Sequence, residues 1–292
     1  MKAFVLQMTS TPDVNENLAF VEQQLSDSCE QVRGSIVVLP ECFACFGGKE
    51  NLNFVISEPL SHTIENTVDN TPVQTSLARL AKKYDIYLVA GTFPIKVSQE
   101  EEPQSQRVKP MTLVFSPSGE RIGHYQKIHL FDVDVSDNTG SYRESDTWQA
   151  GRELAYFDTQ WGRIGLAICY DVRFPSLFQK LTELGCKAVV LPSAFTQKTG
   201  QAHWQILLQA RAIENQIYMI ACDQSGIHTN QRETFGNSMI VNPWGDILCN
   251  AQKQLGLFGA ELDSEKLNQV RQAMPLQQHN QFSVNLISRN SE

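Results

Sequence analysis

The chain has 292 residues, 41% of them hydrophobic, which is enough for a substantial core in one large α/β domain or two small ones. Its formal charge is −8 and its pI is near 5.3. That balance argues against nucleic acid or an anionic membrane as the main partner, and an anionic substrate must be held by local basic residues. The opening M-K-A-F-V-L-Q-M-T-S contains too short an apolar run for a secretory signal, and no run approaches transmembrane length. Seven cysteines, at 29, 42, 45, 169, 186, 222 and 249, form an odd, scattered set. They suit reduced thiols in a cytoplasm better than a disulfide framework.

In chain order, Ala3 to Gln7 reads as a strand, and Thr11-Pro12-Asp13 opens a helix with Leu18, Val21 and Leu25 on one face. Ser35 to Leu39 reads as a strand. Thr71-Pro72 reads as the cap of a second helix whose apolar face is Val73, Leu77, Leu80 and Tyr84. Strands follow at Ile86 to Gly91 and Met111 to Phe115, the latter opening a hairpin around Ser116 to Glu120. Further strands are expected at Arg163 to Cys169, Ala188 to Leu191, Ile217 to Cys222 and Asn237 to Val241, and further helices at His203 to Asn215 and Asp263 to Met274. Pro175 marks the first turn of whatever follows Cys169. The polar stretches Ser98 to Lys109 and Ser136 to Ser145 read as surface loops within one domain, residues 1–275, followed by a Gln- and Asn-rich C-terminal arm, 276–292. Alternating strands and helices with one hairpin predict a layered α/β fold with mixed sheets. The repeated V-V-L-P, at 37–40 and 189–192, hints at two pseudo-equivalent halves.

Three reactive side chains stand just beyond apolar strands: Glu41, Lys127 and Cys169. Strand ends of an α/β sheet converge on one rim, so the three can meet there. A carboxylate beside a thiol can act as its general base, while an ammonium beside both lowers the thiol pKa and can stabilise an oxyanion. Taken singly, Cys169 reads more readily as a buried structural thiol, and Lys127 as a surface lysine. Arg173 and Asp171 could form a structural ion pair. A metal or redox reading of Cys42 and Cys45 finds no second pair and no accompanying histidines.

With those residues in hand, the sequence resembles the nitrilase, or carbon-nitrogen hydrolase, superfamily from Met1 to about Pro275. The match rests on L-P-E at 39–41, K-I-H-L-F-D at 127–132, R-E-S at 143–145, C-Y-D-V-R-F-P at 169–175, the block from His203 to Gln216 and N-P-W-G at 242–245. The resemblance implies a four-layer αββα sandwich, a homodimer or higher oligomer assembled through helices, and a Glu-Lys-Cys triad that uses no metal and no organic cofactor. It implies that Glu41 is the general base, that Lys127 and the Tyr170 backbone N–H hold the oxyanion, and that Glu144 positions Lys127 or the substrate.

Among branches, the motifs look most like the amidases that include deaminated glutathione amidase and ω-amidase, which act on amides of short α-keto dicarboxylates. The resemblance lies nearer the former, with 2-oxoglutarate and cysteinylglycine as products. Arg173 is the candidate clamp for the substrate carboxylate. Competing readings are ω-amidase action on α-ketoglutaramate or α-ketosuccinamate, nitrile hydrolysis, a non-catalytic partner domain, and a Cys-His hydrolase using His129 or His203. Two departures from relatives stand out: the C-F-A-C-F-G-G loop after Glu41, which lines the entrance in the family, and Asn237 where many carry histidine.

Overall fold

The computed structural model describes residues 1–49, 51–60, 71–98, 107–135 and 140–287. Most of the expected loop from Ser98 to Lys109, the start of the one from Ser136 to Ser145, and the last five residues of the expected arm lie outside them. What is described of the second loop is not irregular throughout. Ser141–Arg143 pairs antiparallel with Asp132–Asp134, and a 3-10 turn, Glu144–Asp146, follows.

Two mixed sheets form the centre. The first runs Gly256–Glu261, Lys2–Gln7, Ile36–Val38, Tyr87–Val89, Val108–Phe115, Phe93–Lys96, with Arg121–Gln126 also paired to Val108–Phe115. The second runs Ile247–Asn250, Met239–Val241, Tyr218–Asp223, Cys186–Ser193, Gly162–Leu166, Ala155–Thr159. Three neighbouring strands in each are parallel and the remainder antiparallel. The two V-V-L-P segments fall inside different sheets, each flanked on both sides by parallel partners.

Side-chain alternation along the first sheet explains the layers. Val5, Ile36, Val38, Val89 and Val114 pack in one core with Ile164, Leu166, Val189 and Ile220 of the second sheet. Their neighbours Phe4, Leu6, Val37, Leu88 and Leu113 pack on the other face with Val21, Leu25, Leu77 and Leu80 from helices Val14–Asp27 and Pro72–Tyr84. Helices Pro175–Glu183 and Gln197–Asn215 cover the outer face of the second sheet with Phe178, Leu181, Trp204 and Leu208. The result is the αββα sandwich.

The first helix is capped as expected, with Asp13 accepting from the N–H groups of Asn15 and Glu16. The second is not capped by the Thr71 side chain. Pro72 does occupy its first turn, but the buried Glu58 carboxylate supplies the acceptors, taking the N–H of Val73 at 2.7 Å and of Gln74 at 3.2 Å. A cap from a residue fourteen positions upstream leaves no local signal. The third helix starts at Gln197, six residues before the expected His203, with Thr196 as its cap. Its polar first turns contain Gly200, where a side chain would collide with the Phe235 ring at 2.2 Å.

Candidate active site

Backbone contacts fix the positions of Glu41 and Lys127. The chain leaves Ile36–Val38 through Leu39 and Pro40 and delivers Glu41, whose carbonyl accepts from Gln224 Nε2 at 3.0 Å. Gly91, at φ +44°, lies against Pro40; a Cβ there would come within 1.9 Å of the Pro40 oxygen and displace the glutamate. Lys127 follows strand Arg121–Gln126, donating its N–H to Pro110 O and accepting at its carbonyl from Gly151 N. Gly151 presses on Gln126 so closely that a Cβ would meet that carbonyl at 2.2 Å.

Cys169 does not end a strand. Gly162–Leu166 stops three residues earlier, and Cys169 begins a 3-10 turn, Cys169–Arg173, in the left-handed region at φ +45°. A non-glycine residue held there costs about 1–3 kcal/mol, and such strain persists only where the surroundings over-determine it. Asp171 does that here. Fully buried, it accepts from Ile168 N at 2.8 Å and Tyr125 Oη at 2.8 Å, and pairs with His129 Nδ1 at 2.7 Å. The turn bearing Cys169 is thereby tied to the segment bearing Lys127. Asp171 is committed to these partners and not to Arg173, so the alternative of an Asp171–Arg173 pair is set aside.

Lys127 Nζ sits 2.8 Å from Glu41 Oε1 and 2.8 and 3.0 Å from the two oxygens of Glu144, with 1% of the lysine side chain exposed. Glu144 is anchored in turn by the Phe131 N–H at 2.8 Å. Burial works against the ammonium, but the two carboxylates outweigh it and hold its pKa well above the usual lysine value. Lys127 is therefore a cation at neutral pH.

Lys127 lowers the thiol as expected, but does not bring it below the ordinary range. Burial, and next the Glu41 charge, push Cys169 well above the ordinary thiol range; Lys127 and a backbone hydrogen bond from Ala194 oppose this without prevailing. The resting group is therefore a protonated thiol. The arrangement can transfer that proton to Glu41 as attack occurs, which is general base catalysis rather than a standing thiolate.

Glu41, Cys169, Glu144, Tyr170 and Arg173 line one narrow pocket with Phe131, Ala194, Phe195, Thr196, Thr199 and Arg232. Arg173 contacts His203 Nδ1 at 3.2 Å and lies over the rings of Phe195 and Tyr170. Among the described residues it has no carboxylate partner. His129 is bound to Asp171 and stacked on Phe174 at 3.5 Å, and neither it nor His203 lines the pocket, which argues against a Cys-His pair. Against the expectation that the C-F-A-C-F-G-G loop lines the entrance, none of its residues, Cys42 to Gly48, lines this pocket. Phe43, Ala44, Cys45 and Phe46 are buried, held by Ser10 and Asn17 on the Phe43 and Ala44 carbonyls. Burial keeps the Cys42 thiol high and pushes Cys45 up to about 11, so both stay protonated at neutral pH. Asn237 takes the left-handed conformation at φ +56° that asparagine tolerates, and its carbonyl accepts from Trp204 Nε1.

Three supports had no distinguishing signal in the sequence. Gln224 holds the Glu41 backbone, and buried Asp223 accepts from Phe195 N at 2.8 Å, fixing the segment that carries Ala194 and Phe195. Arg232 enters from the hairpin formed by Ser225–Ile227 and Glu233–Phe235. That hairpin is held by His228, 2% exposed, whose Nδ1 faces the Ser10 carbonyl at 2.9 Å and whose Nε2 faces Thr234 Oγ1 at 2.8 Å. Burial lowers the imidazole from its usual 6.5 to about 4, with the Arg232 charge adding to the effect. A depressed folded pKa gives stability that is present above 6.5 and lost as pH falls through about 4. Denaturant titrations should lose about 3 kcal/mol over that window, and His228→Gln should flatten the dependence. Equal pH slopes for the two proteins would contradict this.

The fold is a mixed αββα sandwich, with a buried Glu-Lys-Glu cluster and a cysteine at one pocket. The chain belongs to the carbon-nitrogen hydrolase family, whose pattern it matches over residues 2–272. It is 41% identical to a deaminated glutathione amidase of Synechocystis over 282 residues, covering 96% of this chain and 98% of that one. It is 34% identical to the ω-amidase NIT3 of Saccharomyces cerevisiae, covering 97% and 94%. Among solved structures, Nit3 of S. cerevisiae, described as a member of branch 10 of the nitrilase superfamily, superposes with a TM-score of 0.82 at 30% identity over 97% of both chains. The protein is a carbon-nitrogen hydrolase acting on amides.

Proposed function

We propose that this enzyme hydrolyses the amide of a short α-keto dicarboxylate, with deaminated glutathione as substrate and 2-oxoglutarate and cysteinylglycine as products. The observation carrying the reading is Arg173: a guanidinium in the pocket, four residues beyond Cys169, with no acidic partner among the described residues. It can take the α-keto carboxylate bidentately. The names of the Synechocystis and yeast relatives support the same substrate class. The second name also favours the alternative, ω-amidase action on α-ketoglutaramate or α-ketosuccinamate.

In this mechanism Cys169 Sγ attacks the amide carbonyl as Glu41 takes the thiol proton. The oxyanion is held by Lys127 and the Tyr170 N–H. The C–N bond breaks, Glu41 returns the proton to the leaving amine, and a thioester remains. Water then attacks, its proton passing to Glu41, and the acid leaves as Cys169 recovers its proton. Glu144 keeps Lys127 in place.

A panel of purified protein against α-keto glutathione, α-ketoglutaramate, glutamine, N-carbamoyl amines and simple nitriles tests this reading. The highest kcat/KM is expected on α-keto glutathione. Arg173→Ala should raise KM for the keto-acid amides roughly 10- to 100-fold, the loss of one charge-assisted contact. An unchanged KM would remove Arg173 from substrate recognition, and turnover confined to nitriles would overturn the amide assignment. Failure of every compound would favour a non-catalytic partner role.

The reading extends to a 1–275 hydrolase unit with a 276–292 arm, to residence in a reducing cytoplasm, supported by seven unpaired cysteines, and to a homodimer. Among the described residues no helix is long and apolar enough to cross a membrane. The dimer is supported by exposed Ile206, Ile213 and Trp244 on and beside helix Gln197–Asn215, at 68%, 48% and 57% exposure. Sedimentation should give twice the mass of the chain, reduced to one by Ile206→Glu with Ile213→Glu; a wild-type monomer at micromolar concentration would refute it.

A further inference from the structure

Arg173 is one of two arginines lining the pocket, and the second has no role in the mechanism above. The Arg232 guanidinium lies between the rings of Phe46 and Tyr142, 4.9 Å from each centroid, and donates through Nη2 to Ala194 O at 3.2 Å. Its Nε is buried without a hydrogen-bond partner, and among the described residues no carboxylate pairs with the side chain. A buried guanidinium N–H without an acceptor carries a desolvation penalty that a ligand oxygen relieves.

The two arginines are held by different sets of neighbours. Arg173 belongs to the turn of the nucleophile and packs on Phe195 and Tyr170. Arg232 packs on Phe46, five residues beyond Glu41, and on Tyr142, two before Glu144, and bonds to Ala194 O beside Phe195, so it touches the segments that carry the two carboxylates. In amide cleavage the group that protonates the leaving amine must face it. Glu41 fills that role in the proposed mechanism, which directs the leaving group towards Arg232 and leaves the acyl part to Arg173.

We infer that Arg232 is a specificity residue that binds a carboxylate on the leaving amine, so that the pocket selects amides anionic on both sides of the scissile bond: an α-keto acid on one side and an amino acid or short peptide with a free C-terminus on the other. The inference rests on the proposed amidase reading and separates its two substrate forms, since ammonia as leaving group offers Arg232 nothing to bind.

The test uses three amides sharing one α-keto acyl group, with cysteinylglycine, cysteinylglycine amide or ammonia as the leaving amine. Wild-type enzyme should prefer the first over the second in kcat/KM by roughly 10- to 100-fold, the worth of a charge-assisted hydrogen bond. In Arg232→Ala and Arg232→Gln the ratio should collapse towards one, mainly through KM, and Arg232→Lys should regain part of it. Arg173→Ala should leave that ratio intact while weakening all three. A wild-type ratio preserved in Arg232→Ala, or an equal loss on all three amides, would overturn the inference and make Arg232 structural. Wild-type enzyme active on the ammonia-leaving amide alone would instead overturn the deaminated glutathione reading, and the role of Arg232 with it.

Discussion

Glu41→Gln should lower kcat by roughly 10²- to 10⁴-fold, the usual span for loss of general acid–base catalysis. The substitution keeps size and retains an oxygen for the contact with Lys127, so thermal stability should change little. What disappears is the ability to take the Cys169 proton. Because Cys169 rests as a thiol well above its ordinary pKa, no standing thiolate can substitute for that transfer. A Cys-His mechanism predicts the opposite, full turnover in Glu41→Gln. Steady-state kinetics on α-keto glutathione decides between them.

Lys127→Met should have two large effects together. Removing the ammonium between Glu41 and Glu144 takes from two carboxylates of the same pocket the partner they share, and breaking a buried pair in this way costs about 3–5 kcal/mol. Losing the oxyanion donor should lower kcat by at least about 10²-fold. The double variant Lys127→Met with Glu144→Gln separates them: removing one negative charge should restore much of the stability seen in denaturant unfolding, while turnover stays lost. Recovery of activity alongside stability would mean that Lys127 acts only as scaffold.

The elements most legible in the sequence were those whose periodicity is enforced by a single buried face. Val21 and Leu25 of the first helix, and Leu77 and Leu80 of the second, point inward as their spacing predicts. Gly256–Glu261 was not legible. It carries two glycines and half-exposed positions, and exists as a strand because Lys2–Gln7 offers it a free edge, with the Phe4 ring lying across Gly259. Short Phe93–Lys96, which carries Pro94, and Ala155–Thr159, largely half-exposed, were not legible either, although each pairs with the next strand along the chain.

The site divides in the same way. Glu41 and Cys169 could be found because each stands beyond an apolar run; Lys127 was grouped with them, although the strand before it, Arg121–Gln126, proves polar and half-exposed, and Glu144 followed from the family resemblance. Asp171 was visible beside Cys169, but its partners Tyr125 and His129 come from more than forty residues away. Arg232 sits among polar residues of a short hairpin, where an arginine reads as a surface charge. Only the fold brings Phe46, Tyr142 and Ala194 around it.

The central claim is a covalent acyl-enzyme on Cys169. It is tested most directly by mixing enzyme with α-keto glutathione, quenching in acid during turnover and measuring intact and peptide masses. The account predicts a 2-oxoglutaryl adduct on the peptide containing Cys169, absent from Cys169→Ala, which should also lack turnover. An adduct on another residue, or full activity in Cys169→Ala, would contradict it.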